Sequence, residues 1–281
     1  MKRRMSRILL SVGTVIVILS MLLSTVSLAA VPAAAGWAGN RLKEHRVWDP
    51  APAVSDWVPG HPKGYNEGET ASFYVKVDPD AAGEELMFDI CLDYDDSGAH
   101  AFIGLEPWNT TYEVLLPNGV GTGGLTDTTS DPNVWAYNAN IDSVTSLGEA
   151  GGRCPSNYLA WHVEFTIVND ADTFIVYGGH LAAPGEPLPF GGVVPDGMGA
   201  ASCSGVFQAR IASQGTGDKT VNFSPALITP QAGTIIVDKV TDPSGSSQSF
   251  EFDPSYGSNF FLTDAATPND SGWLLPGAYS V

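Results

Sequence analysis

Asp93, Asp95 and Asp96 fall within the run Asp93-Tyr94-Asp95-Asp96-Ser97-Gly98. Aspartates at nearly alternate positions, closed by a glycine, match the opening of a calcium loop, and hard oxygen ligands crowded at one bend suit Ca²⁺. Position twelve of such a loop must be a bidentate Glu; counted from Asp93 it is Gly104, and no helical pattern flanks the run. An EF-hand is therefore excluded. Two readings stay open, a simpler Ca²⁺ site held by Asp93, Asp95 and Asp96, and a solvated Asp-rich turn. No other cofactor is implied.

The remaining chemistry-bearing residues are scattered. The histidines are His45, His61, His100, His162 and His180, with no His-Glu-x-x-His and no pair at metal spacing with a cysteine. His180 follows two glycines at the head of a long loop and reads first as a hydrogen-bonding structural group. No Gly-x-Ser-x-Gly elbow occurs, and Cys154-Pro155 carries no nucleophile signature. Carboxylates are plentiful, and nothing singles out a pair for glycoside hydrolysis. The expectation is a protein that is not an enzyme. Trp108 and Trp135 sit beside loops, where they can form a sugar-stacking platform or anchor those loops.

Short strands separated by turns must position these groups. Leu86, Phe88, Ile90 and Leu92 alternate with Met87, Asp89, Cys91 and Asp93, the mark of a half-buried strand over Leu86–Tyr94. Turn residues and a second apolar run, His100–Leu105, follow and predict a hairpin. Thr70–Val77 is a strand with Ala71, Phe73, Val75 and Val77 inward and Tyr74 outward. Trp161–Val168 and Thr173–Tyr177 form a second predicted hairpin across Asn169–Asp172. Tyr112–Leu116, Val134–Tyr137, Val206–Ile211 and Thr220–Phe223 read as further strands. Arg46–Trp48 reads as an added edge strand. Gly119–Gly124 is glycine-rich but lacks the Lys-Ser/Thr exit of a phosphate loop. Gly178–Gly205 is a long Gly- and Pro-rich loop, and Pro225–Gly233 has the composition of a linker. No stretch after the N-terminus repeats with a helical period.

The chain opens with Lys2, Arg3, Arg4 and Arg7, an apolar run Ile8–Leu23, and small-residue exits at Ser27-Leu28-Ala29 and Ala33-Ala34-Ala35. That is the pattern of a cleaved secretory signal, and it sets the expected location as secreted or cell surface. Removing its four basic residues leaves nine of the 13 against 31 acidic residues, a formal charge of −22. A field of that sign repels nucleic acid and anionic membranes. Membrane contact is expected only through the signal segment or a C-terminal anchor beyond Val281. Export permits disulfides, and three cysteines allow one bridge in three pairings. Cys154–Cys203 is preferred because two loop cysteines meet the strict geometry more freely, leaving Cys91 packed mid-strand. Asn109-Thr110-Thr111, Asn222-Phe223-Ser224 and Asn269-Asp270-Ser271 match the glycosylation sequon.

These elements divide the chain into a signal peptide (1–35), a β-sandwich surface domain (36–229) and a β module (230–281) that stops in mid-course, as if the chain were a fragment of a longer protein. Gly233-Thr234-Ile235-Ile236-Val237-Asp238-Lys239-Val240, Ser249-Phe250-Glu251-Phe252, Phe261-Leu262-Thr263-Asp264 and Leu275-Pro276-Gly277-Ala278-Tyr279-Ser280-Val281 resemble the start of a prealbumin-like (SpaA or Cna-B type) surface domain. That resemblance implies an internal isopeptide bond formed by a first-strand lysine, and Lys239 stands at its place. Tyr65-Asn66-Glu67-Gly68-Glu69, Cys91-Leu92-Asp93-Tyr94-Asp95, Glu106-Pro107-Trp108 and Tyr177-Gly178-Gly179-His180-Leu181 are similar to words in prokaryotic surface domains that precede such modules. The expected fold is all-β, an immunoglobulin-like or jelly-roll-like sandwich plus a truncated prealbumin-like module. The expected role is structural, display or adhesive. The alternative is a carbohydrate-binding module, Ca²⁺-assisted or not, of a larger secreted protein. The ligand, an extracellular glycan or protein, is not named by the sequence.

Overall fold

The computed structural model describes residues 35–51, 56–108, 116–117, 124–127, 132–214, 217–231, 233–272, 274 and 278–281. The signal segment through residue 34, nearly all of the strand read at Tyr112–Leu116, most of the Gly119–Gly124 loop, the Asn109 sequon and part of the Leu275–Val281 run lie outside the described residues. The chain folds as an all-β sandwich of two sheets around one apolar core. Its main strands are β1 (Leu42–Asp49), β2 (Asp56–Val58), β3 (Thr70–Val77), β4 (Glu85–Asp93), β5 (Phe102–Glu106), β6 (Val134–Tyr137), β7 (Ala139–Glu149), β8 (Tyr158–Ile167), β9 (Thr173–Leu181), β10 (Phe207–Ala212) and β11 (Lys219–Phe223). Among the described residues no helix is long and apolar enough to cross a membrane.

The first sheet runs β7-β8-β4-β10-β11, with Gly36–Trp37 added parallel to the start of β4. The second runs from Thr126–Asp127 through β6-β9-β3-β1 to β2, with β5 in line with β6 along β9. Alternation puts Leu86, Phe88, Ile90 and Leu92 of β4 against Phe73, Val75 and Tyr177 of the facing sheet, all in one buried cluster. Each such side chain contributes about 2 kcal/mol by leaving water, so β4, central in its sheet, is the strand whose register matters most. A shift of one residue would turn Asp89 and Asp93 into the core.

Both predicted hairpins prove to be corners between sheets. β4 belongs to the first sheet and β5 to the second. Hairpin pairing stops after Asp95–Asp96 with Ala99–His100, closed by left-handed Ser97 (φ 57°) and Gly98 (φ 97°). Ala101 then donates to the Tyr94 carbonyl at 3.2 Å, its carbonyl accepts Ala182 N–H at 3.0 Å, and the chain enters the opposite sheet. β8 and β9 are likewise in different sheets. Asn138, left-handed at φ 61° between β6 and β7, fastens that corner: its Nδ2 donates to the carbonyls of Asn169 and Ala171, both at 3.0 Å, and its Oδ1 accepts Asn169 N–H at 3.0 Å. Arg46–Trp48 is interior rather than an edge, since β1 lies between β3 and β2.

The outer face of the second sheet is not a solvent face. Tyr74, expected outward, is 2% exposed and packs with Trp48, Trp108, Phe174 and Val176. Within the region read as a linker, Ile228–Thr229 pairs parallel with Tyr65–Asn66, and Ile228 reaches the core. Beyond it, Ile236–Val237 pairs with Asn269–Asp270, and Phe250–Phe252 with Phe260–Leu262. These strands are shorter than expected, and Ile236, Val240 and Phe261 stay exposed.

Candidate functional site

β4 runs toward one end of the sandwich, and three loops meet there: the bend 94–101, the β7–β8 connection 150–157, and the long loop 182–206. Asn157 ties the first two: its carbonyl accepts Tyr94 N–H at 2.8 Å and its Nδ2 donates to Asp93 Oδ1 at 2.8 Å. The long loop is tied by His100 N–H to the Met198 carbonyl at 2.8 Å, and by Asp96, which accepts the N–H groups of Ser204 at 2.6 Å and Gly205 at 3.2 Å. Asp93, Asp95 and Asp96 all lie at this end.

The three aspartates do not converge on a cation. Asp93 is held by Asn157 and Asp96 by Ser204 and Gly205, while Asp95 caps its own turn through Gly98 N–H at 2.8 Å. Among the described residues no group of three or more His, Cys, Asp or Glu could hold a metal ion. The Ca²⁺ site expected at Asp93, Asp95 and Asp96 is thus corrected: each carboxylate closes a loop, Asp93 through the Asn157 side-chain amide and Asp95 and Asp96 through backbone N–H groups. Burial pushes the Asp93 carboxyl up to about 6, against the Gln208 backbone hydrogen bond and with help from nearby Asp96 and Asp95.

The disulfide is corrected as well. It joins Cys91 to Cys154, with Cα atoms 5.5 Å apart, and not Cys154 to Cys203. Cys91 points to the outer face of the first sheet, and loop 150–157 folds back over that face. Asp89, fully buried there, accepts Arg153 N–H at 2.7 Å and lies 2.6 Å from His162 Nδ1. Gly152, at φ +59°, rests so close to this carboxylate that a Cβ would collide with it. The loop is thereby laid across the strand with Cys154 over Cys91. Cys203 is the free, buried thiol, pushed up to about 12 chiefly by burial, which makes it unreactive.

His180 is a fastener between two acids. Its Nε2 lies 2.9 and 3.0 Å from the Glu186 oxygens and its Nδ1 lies 3.0 Å from Glu106 Oε2. Burial alone would lower its pKa; the two carboxylates outweigh that and raise it. Glu106 is lowered, first by His180 and despite its own burial. The acids take opposite ring nitrogens, so they do not face a common centre. Glu186 also accepts Ala183 N–H at 2.8 Å, which ties the start of the long loop to β9.

Trp108 and Trp135 do come together, in the aromatic layer on the second sheet. Trp108 is only 5% exposed, so it anchors the layer, while Trp135 is half-buried and donates Nε1–H to the Pro132 carbonyl at 2.8 Å. Lys239 lies apart from all of these, its Nζ 4.2 Å from the Phe250 ring centre. Asp89 and Glu67 were missed by sequence reasoning. A carboxylate on the second side of a core strand, and one in a Gly turn, were the available signals. Comparison with protein-family models, with curated proteins and with solved structures returns no match for this chain.

Proposed function

We propose that this chain is a non-enzymatic extracellular surface protein in which the sandwich is carried in a modular array with a display or adhesive role. The observation that carries this reading is the junction. Ile228–Thr229 is paired with Tyr65–Asn66, and Gln231 N–H is held by Glu67 at 3.0 Å, so the chain leaves the sandwich in a set direction. A stiff joint suits a stalk, whose modules must hold their order under load. The Cys91–Cys154 bridge fits export. Carboxylates that fasten loops, as Asp89, Asp96 and Glu186 do, fit a scaffold. The resemblance of 230–281 to a prealbumin-like module supports surface display, and Lys239 suits the isopeptide lysine it implies. Its Nζ is withdrawn from water without a hydrogen-bond partner among the described residues. Intact mass short by one ammonia would report that bond.

The test is twofold. Beads coated with the full chain should adhere to a surface from a panel of extracellular proteins and glycans. The same chain incubated with polysaccharides and peptides should release no product with time; a time-dependent product overturns the reading.

A carbohydrate-binding role is the second reading, favoured by the aromatic layer of Trp48, Trp57, Tyr74, Trp108 and Trp135 on one sheet face. Trp135→Ala tests it more cleanly than Trp108→Ala, because Trp108 is buried. Retention on every glycan unchanged by Trp135→Ala would remove the aromatic face as the binding surface.

A further inference from the structure

The end where the three loops meet carries apolar side chains that the fold leaves in water. Phe190 is 56% exposed, Val193 57% and Met198 42%. All three belong to the long loop, and that loop is held in place. Pro187 bridges Val193 across a tight turn, and Val194 N–H reaches the Glu186 carbonyl at 2.8 Å. The Phe190 ring meets the Tyr94 ring edge-on at 5.8 Å, and Tyr94 in turn rests 4.9 Å from His100, whose N–H holds Met198. Scattered exposed apolar residues need no explanation, but several on one braced loop mark a contact surface.

The charge around them has one sign. Neither the bend 93–101 nor the loop 182–206 contains a Lys or Arg. Arg153, the basic residue of the third loop, is laid back over the Trp37 ring at 4.4 Å, beside Met87 rather than Asp93. Asp95, Asp196 and Glu149 are exposed, and both Glu149 and Asp95 are close enough to add to the burial that raises the Tyr94 hydroxyl. An apolar centre with an acidic rim, on loops fastened before binding, is preorganised for a complementary partner.

We propose that this loop end docks a cationic polypeptide segment, with apolar side chains seated on Phe190, Val193 and Met198 and lysines or arginines facing Asp95, Asp196 and Glu149. The proposal rests on the adhesive reading above and names the surface and the partner chemistry. The bend, the long loop and the disulfide-tied loop then act as one paratope.

The test is fluorescence anisotropy of a labelled synthetic peptide alternating lysine with leucine and phenylalanine, titrated with the full chain. A copy with glutamate for lysine serves as the charge control. Expected results are saturable binding of the lysine peptide, none of the glutamate peptide, and a loss of about tenfold or more on Phe190→Ser with Met198→Ser. Asp95→Asn with Asp196→Asn and Glu149→Gln should also weaken binding and flatten its salt dependence. Asp142→Asn with Glu164→Gln, on the first sheet away from this end, should change nothing. No binding of the lysine peptide overturns the proposal. So does affinity unchanged by the Phe190 and Met198 substitutions, or an equal loss from the distant pair, which would mean diffuse attraction to an acidic chain. Variants are compared at matched melting midpoints, so unfolding is not mistaken for lost contact. Adhesion of the coated beads that persists after the loop-end substitutions would leave the adhesive reading standing and refute this surface alone.

Discussion

Glu67 Oε2 accepts the N–H of Gln231 at 3.0 Å across 164 residues of chain, while Oε1 accepts Ala201 N–H at 2.9 Å. One carboxylate, 4% exposed, therefore joins the turn before β3, the long loop and the exit from the sandwich. A glutamine in its place keeps one acceptor oxygen and cannot serve both donors. Glu67→Gln is expected to cost about 1–3 kcal/mol and to open 225–233 to protease. Limited proteolysis followed by mass mapping should show earlier cleavage there than in the parent chain; unchanged cleavage would mean the junction is held without Glu67.

The Cys91–Cys154 bridge closes a sequence separation of 63 residues and anchors the loop over Asp89. Its loss, by Cys91→Ala with Cys154→Ala, should lower stability by about 2–4 kcal/mol and loosen one side of the loop end. Cys203→Ala should leave the bridge intact. Alkylation of the unreduced, unfolded chain should label Cys203 alone; label on Cys91 or Cys154 would contradict the pairing.

Asp93 titrates at about 6 in the fold, against an ordinary 3.8 for the side chain in water. The folded protein holds this proton more tightly, so the group favours folding least when ionised. Its destabilising contribution grows as pH rises from 3.8 to about 6 and is constant above. Asp93→Asn keeps an acceptor for Asn157 and should raise neutral-pH stability by about 1–2 kcal/mol, a gain that vanishes below about pH 4. Urea unfolding across that range measures it; a gain that persists in acid would assign the effect to something other than the charge.

His45 behaves in the opposite sense. It is buried in the core with Nε2 2.7 Å from the Tyr177 hydroxyl. Burial lowers its pKa from 6.5 to about 3, only partly offset by a Lys219 backbone hydrogen bond. Its stabilising contribution is complete above pH 6.5 and is lost as pH falls toward 3, at about 1.4 kcal/mol per pH unit. His45→Gln should be less stable at neutral pH by about 1–2 kcal/mol and should lack that part of the acid slope. Parallel pH profiles for the two proteins would rule His45 out as a source of acid sensitivity.

Strands with one apolar face were legible because burial imposes a period of two, whereas β7, polar and largely exposed beyond Ile141, was not read as a strand. Leu86, Phe88, Ile90 and Leu92 could only be one side of a strand, and Thr70–Val77 matches β3 to the residue. Turn positions were legible too, from Asp95–Gly98 and Asn169–Asp172. Which strands those turns join was not. A two-residue turn at Ser97–Gly98 has the same local chemistry whether the next strand returns beside β4 or crosses to the other sheet; the choice depends on where Phe102 and Leu105 find apolar partners. The same reason hid the disulfide. Cys91 in mid-strand looked unavailable until a loop, drawn down by Asp89, was laid over that face. The aspartates of the bend looked like ligands until Asn157, Ser204 and Gly98 were brought to them.

By itself, then, the amino-acid order determined an acidic, β-rich chain and the inward faces of its apolar strands, since those arise from residue type and spacing. Tertiary structure alone decided which strands share a sheet, which cysteines pair, and that three distant loops form one braced end, since each depends on contacts between residues far apart in the chain.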